Sequence, residues 1–234
     1  MNRVTAPGAL LGLSLLTPAL AAGCYGNDSS SFPPGLEPWE QNTAPMPTAT
    51  ADDPCPEVLS FGDDFSFMGM HPDGRTYRAN AVHAVGCIHQ PMDVVWEAIQ
   101  DPQVGKDHTS VNTFMVIDPP MAEECDGLYQ SQINAGPSPF TVDFRLCWRM
   151  EVAEGTDDAP TLTATRWQKV WGSSALSIME GSLVAHPLDA DPTITVVEYQ
   201  YHLNAVSSSH ETIRNYLSVI YGRLADRAHD RPLP

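Results

Sequence analysis

Alternating apolar and polar residues dominate the second half of the chain. In the stretch 141–152 every second residue is apolar, and these residues share one face: Val142, Phe144, Leu146, Trp148, Met150 and Val152. A period of two predicts a long antiparallel strand with one face toward solvent. Weaker alternation, bounded by turn residues, predicts six further strands: 76–89, 111–118, 127–135, 161–171, 176–187 and 193–203.

The last long stretch, 208–229, has a different period. Its apolar residues recur every three or four positions: Ile213, Tyr216, Leu217, Ile220, Tyr221 and Leu224. This spacing predicts an amphipathic helix, and Ser208 followed by Glu211 predicts a capping box at its start. A long helix with one apolar face needs a large apolar surface to cover it, and the predicted strands can supply that surface.

Shorter elements precede and follow the first predicted strand. Pro91 suits the first turn of a helix over 91–99, and Pro102 ends it; a second short turn or helix is expected around 103–109. Residues 57–74 are interpreted as a lead-in that packs against the domain. Residues 24–56 are rich in Pro, Ser and acidic residues, which predicts a flexible tether in which Phe32 and Trp39 are the only aromatic residues apart from Tyr25 at its start.

Residues 1–23 predict a targeting segment. Arg3 precedes the apolar run 9–20, which is too short to span a bilayer as a helix. The small residues directly before Cys24 resemble a bacterial lipobox, which implies cleavage before Cys24 and its lipidation, with palmitate among the expected acyl chains. The alternative is a secretory signal cut after Ala21, which would give a soluble secreted or periplasmic protein.

Under either alternative the protein lies outside the cytoplasm, in the bacterial cell envelope if it is lipidated. Tyr25 rather than Asp follows the cysteine, and by the habit of lipoproteins this favours the outer membrane. The net charge of −17 argues against nucleic acid and against binding of anionic lipid head groups, because both favour positive charge.

Four cysteines remain for disulfides in an oxidising compartment: Cys55, Cys87, Cys125 and Cys147. Three pairings are possible. Alternation points Cys147 away from the core, and the loop with Cys125 can return near that end of the strand. We therefore favour Cys125 with Cys147, which leaves Cys55 with Cys87; free buried thiols are the alternative. The cysteine and histidine spacing predicts no metal site, and no cofactor is expected.

Two local patterns resemble a known family. Residues 91–99 have the form P-x-x-V-W-x-x-I followed by Asp101-Pro102, and residues 180–183 (EGSL) precede Pro187 and the strand 193–199. With the order of elements, they resemble the START and Bet v1-like superfamily (SRPBCC), which includes polyketide cyclases and coenzyme Q-binding proteins. The resemblance covers about 75–229, within a domain assigned to 75–230. The lipobox and acidic tether depart from it, because many members are cytoplasmic.

The resemblance implies an α+β helix-grip fold. A curved antiparallel sheet of about seven strands would wrap around the long C-terminal helix, with two short helices after the first strand. It also implies an internal cavity for a hydrophobic small molecule or lipid. From the alternation, the expected lining is Phe144, Leu146, Trp148, Trp167, Trp171, Tyr199, Tyr201, Tyr216 and Ile220. The alternative is that these side chains fill the core.

Four polar residues are candidates for a catalytic role. Glu198 and His202 share the face opposite Tyr199 and Tyr201, which predicts solvent exposure, and Arg166 falls on the outer side as well, whereas His83 falls on a face that can point inward. These residues do not form a catalytic pattern, so no catalytic residue is predicted. Three functions remain open: a hydrophobic-ligand-binding envelope lipoprotein anchored to the membrane, a cyclase- or hydrolase-type enzyme, and a protein-interaction module with a filled core.

Overall fold

The computed structural model describes residues 32–71, 74–106, 111–136, 141–206 and 208–233. The predicted signal segment 1–23, Cys24 and the first residues of the predicted tether lie outside these ranges. Within them, neither helix combines the length and apolar character needed to cross a membrane.

The described residues contain nine strands and two helices. In chain order these are β1 (Leu59–Phe61), β2 (Phe65–Met70), β3 (Thr76–Ile88), α1 (Met92–Gln100), β4 (Val111–Ile117), β5 (Tyr129–Ala135), β6 (Val142–Thr156), β7 (Ala159–Gly172), β8 (Leu176–Leu188), β9 (Asp191–Ala205) and α2 (His210–Ala228). The seven long strands lie close to the predicted ranges because each alternates over at least seven residues.

The nine strands form one antiparallel sheet in the order β1-β3-β9-β8-β7-β6-β5-β4, and β2 pairs with another part of β3. Helices α1 and α2 contact each other and pack on one face of the sheet, which we call the inner face. On α2 the predicted apolar stripe is buried, with Ile213, Leu217 and Leu224 at most 1% exposed. A large antiparallel sheet packed on a C-terminal helix is the helix-grip arrangement.

The predicted fold needs two corrections. The lead-in 57–74 contributes β1 and β2, so the sheet has nine described strands rather than about seven. Among the described residues a single helix, α1, follows β3; residues 102–105 form a turn, and 107–110 lie outside the description. The short strands were missed because Leu59–Phe61 is too short to show a period and Phe65–Met70 is apolar at nearly every position.

Helix α2 begins one residue later than predicted. Its N-cap is Ser209, whose Oγ accepts a hydrogen bond from the Thr212 backbone N–H at 3.1 Å. Ser208 instead accepts a hydrogen bond from the backbone N–H of Ala205 at 3.2 Å. The predicted capping box of Ser208 and Glu211 is therefore wrong by one position, and the Ser208 hydroxyl belongs to the turn before the helix.

Residues 32–56, which we call the N-terminal strap, lie on the outer face of the sheet, opposite α2. Leu36 and Trp39 are only 5% and 4% exposed. The Asn42 side chain donates hydrogen bonds to the backbone carbonyls of Ala84 and Tyr199, at 3.2 and 3.1 Å. The prediction of a flexible tether is therefore wrong for these residues, because the few apolar side chains of the strap are buried on the sheet.

Two disulfides join distant parts of the described chain. Cys55 is bonded to Cys87, with a Cα–Cα distance of 5.9 Å, and Cys125 to Cys147, with 5.4 Å. This is the pairing favoured from the sequence. The first disulfide fixes the end of the strap to β3, and the second fixes the β4–β5 connection to β6.

Candidate functional site

A ladder of aromatic rings runs across the inner face. Tyr129, Trp148, Trp167, Tyr201 and Tyr216 stand in that order, with successive ring centroids 5.8, 5.4, 5.8 and 5.2 Å apart. They come from β5, β6, β7, β9 and α2 in turn. Alternation directs the strand residues inward, and the helical stripe directs Tyr216 toward them. The ladder fills the centre of the domain.

Gly181 makes this ladder possible. It lies on β8, in register with Trp167 on one side and Tyr201 on the other. A Cβ at this position would be 2.0 Å from the Trp167 ring, so only glycine lets the indole lie across β8 toward Tyr201. The ring contact between β7 and β9 therefore depends on a missing side chain on the strand between them.

Two adjoining spaces lie between the ladder and the helices. The larger, about 370 Å³, lies between the first half of α2 and the sheet. Its walls are mainly apolar and include Ile133, Phe144, Met179, Leu203 and Val219. The smaller is about 40 Å³, and Gly105 and Tyr216 line both spaces. The core is therefore neither fully hollow nor fully filled.

The wall of the smaller space is fixed by contacts between α2 and the turn after α1. Arg227 Nε donates to Asp101 Oδ2 at 2.9 Å, and Arg223 Nη2 donates to the Gln103 carbonyl at 2.7 Å. The Tyr216 hydroxyl donates to the Gly105 carbonyl at 3.4 Å. These contacts hold the 101–105 turn against α2 and so define the shape of the smaller space.

The interior holds neutral hydroxyl groups. Burial raises the pKa of Tyr199 well above its usual value, and burial also raises the pKa of Tyr129, with a further contribution from Asp101. Asp101 lines the smaller space but is paired with Arg227. General acid–base catalysis favours groups with a pKa near the working pH. These groups are suited to hydrogen bonding rather than to proton transfer at neutral pH.

The structure places eight of the nine predicted lining residues on the inner face or the inner side of α2. Five line the smaller space: Trp148, Trp167, Tyr199, Tyr216 and Ile220. Phe144 and Tyr201 line the larger space, and Leu146 is buried in the core.

Trp171 is the exception, and the prediction for it is wrong. Its ring is 44% exposed, and the Arg145 guanidinium lies 4.5 Å from the ring centroid on the outer face. Leu146 pairs with Lys169 whereas Arg145 pairs with Trp171, so Val170 is an extra residue in a β-bulge. A bulge reverses the alternation beyond it, which turns Trp171 outward.

A polar cluster lies between the strap and the outer face. Glu40 Oε1 accepts hydrogen bonds from Nε2 of His83 and from Nε2 of His202, each at 2.7 Å. His202 Nδ1 lies 3.4 Å from Glu180 Oε1, and the Trp39 ring packs 4.9 Å from the His202 ring. We call Glu40, His83, Glu180 and His202 the outer cluster.

Several sequence expectations are corrected here. His202 was expected in solvent, but its side chain is 0% exposed because the strap covers it. By its position in the sequence His83 falls on a face that can point inward, but its side chain faces outward toward Glu40. Arg166 is on the outer side as expected, yet it stacks 4.3 Å from the centroid of the Trp39 ring, and Glu198 lies 3.3 Å from the partly exposed His186.

Hydrogen bonds within the outer cluster favour the charged forms of Glu40 and His202. Burial raises the pKa of Glu40, but hydrogen bonds from His202 and His83 outweigh it and lower the pKa to about 2. Burial lowers the pKa of His202, but hydrogen bonds to Glu180 and Glu40 and their negative charges outweigh it and raise the pKa. The hydrogen bonds and negative charges around His202 therefore favour its protonated form.

The donor atoms of Glu40, His83 and His202 lie within 4.8 Å of one another, a set that zinc can use. However, the Thr43 backbone N–H donates to His83 Nδ1 at 3.0 Å, which places the ring proton on Nε2, facing Glu40. A metal ion would need that nitrogen without its proton. The hydrogen bonds thus describe an ionic clamp that holds the strap. In the sequence, the one signal for it was Trp39, a large aromatic residue in an otherwise polar segment.

Comparison with known proteins gives structural neighbours only. No family model matches the chain, and no curated protein matches its sequence. Similar solved structures include TTHA0849 from Thermus thermophilus, with a TM-score of 0.45, 14% identity, and coverage of 64% of this chain and 97% of that one.

Two other neighbours are Ara h 8.0201 and the ZhuI aromatase/cyclase from Streptomyces sp. R1128. Ara h 8.0201 has a TM-score of 0.43, 7% identity and coverage of 65% and 99%. The aromatase/cyclase has a TM-score of 0.43, 10% identity and coverage of 64% and 94%. Similarities at this level carry no argument about what this chain does, and the helix-grip description rests on the sheet order and on α2.

Proposed function

We propose that the domain binds a small hydrophobic molecule in the larger space between α2 and the sheet. The observation that carries this proposal is a mainly apolar space of about 370 Å³ beside a closely packed aromatic ladder. Ligand pockets typically measure about 300–1,000 Å³ and are lined mainly by apolar side chains. Apolar walls exposed to water are costly, so burial of an apolar molecule against them is favourable.

Binding is favoured over catalysis by the character of the polar groups nearby. The ionisable groups at the adjoining smaller space are an ion-paired aspartate and tyrosines whose pKa burial raises. Such groups orient a ligand by hydrogen bonds, but they do not exchange protons readily at neutral pH. Carriage or sensing of the ligand follows as the wider role.

We further propose that the protein works in the cell envelope, attached to a membrane by a lipid on Cys24. Two disulfides fit an oxidising compartment. Because Leu36 is already buried on the sheet, the twelve residues 24–35 set the reach from the lipid to the folded domain. Twelve residues span at most about 43 Å. The domain would thus stay close to the membrane, which is a source of hydrophobic molecules.

Native mass spectrometry with organic extraction tests the binding proposal, using the full chain purified from the envelope of its host. A hydrophobic molecule at near one-to-one occupancy is expected. Val219→Trp, which places an indole in the larger space, should abolish the bound mass. Ser218→Trp places the same residue on the exposed side of α2 and should keep it.

Equal occupancy in the two tryptophan variants would contradict the pocket and favour the interaction-module alternative. Fragment masses of the same sample test the anchor. Acyl chains should appear on a peptide beginning at Cys24 and disappear in Cys24→Ser, whereas an unmodified N-terminus after Ala21 would show simple secretion.

A further inference from the structure

We propose that the ligand carries a neutral oxygen group, an alcohol, phenol or ketone, which enters the smaller space and hydrogen-bonds to Tyr199 and Thr165. This inference rests on the proposed function, since it assumes that the apolar body of the ligand occupies the larger space. It adds the chemical class of the ligand and the residues that select it.

The supporting observation is a pair of unsatisfied hydroxyls. Tyr199 and Thr165 are 2% and 3% exposed, and neither hydroxyl has a hydrogen-bond partner among the described residues. Both line the smaller space. A buried hydroxyl without a partner is costly, and native structures usually satisfy it. Nearby, Trp148 Nε1 donates to the buried Ser131 hydroxyl at 2.9 Å, so other polar groups of the inner face do find partners.

Strand register places the two residues on one row of the inner face. Thr165 on β7 pairs with Leu183 on β8, and Leu183 pairs with Tyr199 on β9. The three residues form one row across neighbouring strands, and all three line the smaller space. A threonine and a tyrosine on this row are therefore directed at the same volume by the backbone itself.

The charge of the surroundings disfavours an ionised ligand group. The carboxylate of Asp101 lines the same space, which disfavours an anion, and its ion pair with Arg227 leaves it less available to a cation. The tyrosines there stay neutral, because burial raises the pKa of Tyr199 and of Tyr129, so they do not supply a phenolate for a cation. A neutral oxygen group meets these conditions. It accepts a hydrogen bond from one hydroxyl and, if it is an alcohol or a phenol, donates a hydrogen bond to the other.

The size of the spaces gives the shape of the ligand. About 40 Å³ holds an oxygen and the edge of the group that bears it, whereas about 370 Å³ holds the apolar body. Gly105 and Tyr216 line both spaces and so form their common boundary, and the proposed ligand would lie against Tyr216 with its oxygen end in the smaller space. The ligand class is therefore a compact apolar molecule with a single neutral oxygen at one end.

A matched pair of probes tests this inference. Naphthalene and 2-naphthol differ by one hydroxyl, and their affinities for the purified full chain are measured by fluorescence titration. One gained hydrogen bond should make 2-naphthol about three- to tenfold tighter. Tyr199→Phe and Thr165→Val should each reduce this ratio toward one and leave naphthalene affinity within about twofold.

Thr163→Val is the control. Thr163 lies two residues before Thr165 on the same face of β7, is 1% exposed and also has a hydroxyl without a partner among the described residues, but it lines neither space. It should keep the full ratio. All three substitutions preserve shape, and circular dichroism confirms folding before each titration.

The outcomes separate the two proposals. If neither probe binds the wild-type chain, the proposed function fails. If naphthalene binds but 2-naphthol binds no tighter, or if its advantage survives in both Tyr199→Phe and Thr165→Val, the proposed function stands and the neutral-oxygen inference is overturned. In that case the two hydroxyls are satisfied by internal water only.

Discussion

The two faces of β9 differ in whether their buried polar side chains have hydrogen-bond partners. On the outer face Gln200 and His202 are almost fully buried, and each is hydrogen-bonded to the strap or to a neighbouring strand. On the inner face Tyr199 is equally buried, but its hydroxyl has no partner among the described residues. These buried polar side chains of β9 therefore have hydrogen-bond partners on the outer face, whereas the Tyr199 hydroxyl on the inner face has none among the described residues.

The difference distinguishes a face of the sheet that stabilises the fold from a face that is suited to ligand binding. Across the outer face, His83 and Ser182 are also buried, and each has a hydrogen-bond partner. The unsatisfied threonine hydroxyls, Thr163 and Thr165, lie instead on the inner face of β7, beside the helices. A surface whose polar groups are all satisfied holds the fold together, whereas a surface with spare hydrogen-bonding capacity next to empty volume suits a ligand.

The strongest way to break this comparison is to remove the main apolar contact of the strap. Trp39→Ala should lower the free energy of unfolding by about 3–5 kcal/mol, because a nearly fully buried tryptophan is truncated. Urea unfolding measures this loss. Naphthalene affinity should stay within about twofold, because the sheet separates Trp39 from the ligand spaces.

Met46→Ala is the matched control for Trp39→Ala. Met46 belongs to the same strap but is 45% exposed, so its truncation should cost less than about 0.5 kcal/mol. Equal and small effects in both variants would show that the strap behaves as a flexible tether after all.

The next effect in size concerns the outer cluster. Glu40→Gln should lower the free energy of unfolding by about 2–3 kcal/mol, because the hydrogen bonds from His83 and His202 to a charged carboxylate both weaken. Glu198→Gln provides the comparison, since Glu198 pairs with the partly exposed His186. An exposed pair contributes about 0.2–1 kcal/mol. A larger loss in Glu198→Gln than in Glu40→Gln would contradict the clamp.

A pH series of urea unfolding sharpens the same point. The pKa of His202 is raised above its usual 6.5, so its contribution is present below pH 6.5 and is lost as pH rises through the raised pKa. The pKa of Glu40 is lowered to about 2 from 4.5, so its contribution is present above pH 4.5 and is lost as pH falls toward 2. Both contributions are complete between about pH 4.5 and 6.5.

The difference between the wild-type chain and Glu40→Gln isolates the cluster from other groups. The pKa of His186 is also raised, by its hydrogen bond to Glu198. Its effect on the free energy of unfolding is the same in the wild-type chain and in Glu40→Gln, so it cancels in the difference. The difference in unfolding free energy should be greatest between pH 4.5 and 6.5 and should shrink at both ends. A difference that does not vary with pH would mean that the strap is held by packing alone.

The sequence predicted the seven long strands and α2 because local periodicity specifies them. Residues such as Phe144, Trp148 and Tyr201 alternate strictly, so their inner placement follows from the backbone. The strap could not be predicted in this way. Trp39 and Glu40 lie in a segment without a period, and the partners of Glu40 are 43 and 162 residues away, as its hydrogen bonds to His83 and His202 show.

The errors at single residues have equally local causes. His202 was assigned to solvent because alternation gives the face of a strand but not what covers that face. Trp171 was assigned to the cavity because alternation assumes an unbroken pairing register, and the bulge at Val170 breaks it. The sequence also could not predict that the hydroxyls of Thr165 and Tyr199 are unsatisfied, because the hydrogen-bond partners of a buried group depend on all its neighbours in three dimensions.

Trp171→Ala should have the smallest effect, and it tests whether the bulge at Val170 turns Trp171 to the outer face. Its ring is 44% exposed and contacts Arg145 on the outer face, so the loss should be at most about 1 kcal/mol, from the cation–π contact and partial burial. Naphthalene affinity should not change.

Trp167→Ala, four residues earlier on the same strand, removes a ring that is 5% exposed and lines the smaller space. It should cost about 3–5 kcal/mol and alter probe binding. If Trp171→Ala weakened probe binding as much as Trp167→Ala, the bulge would not reverse the face, and the ligand space would extend to the end of β7.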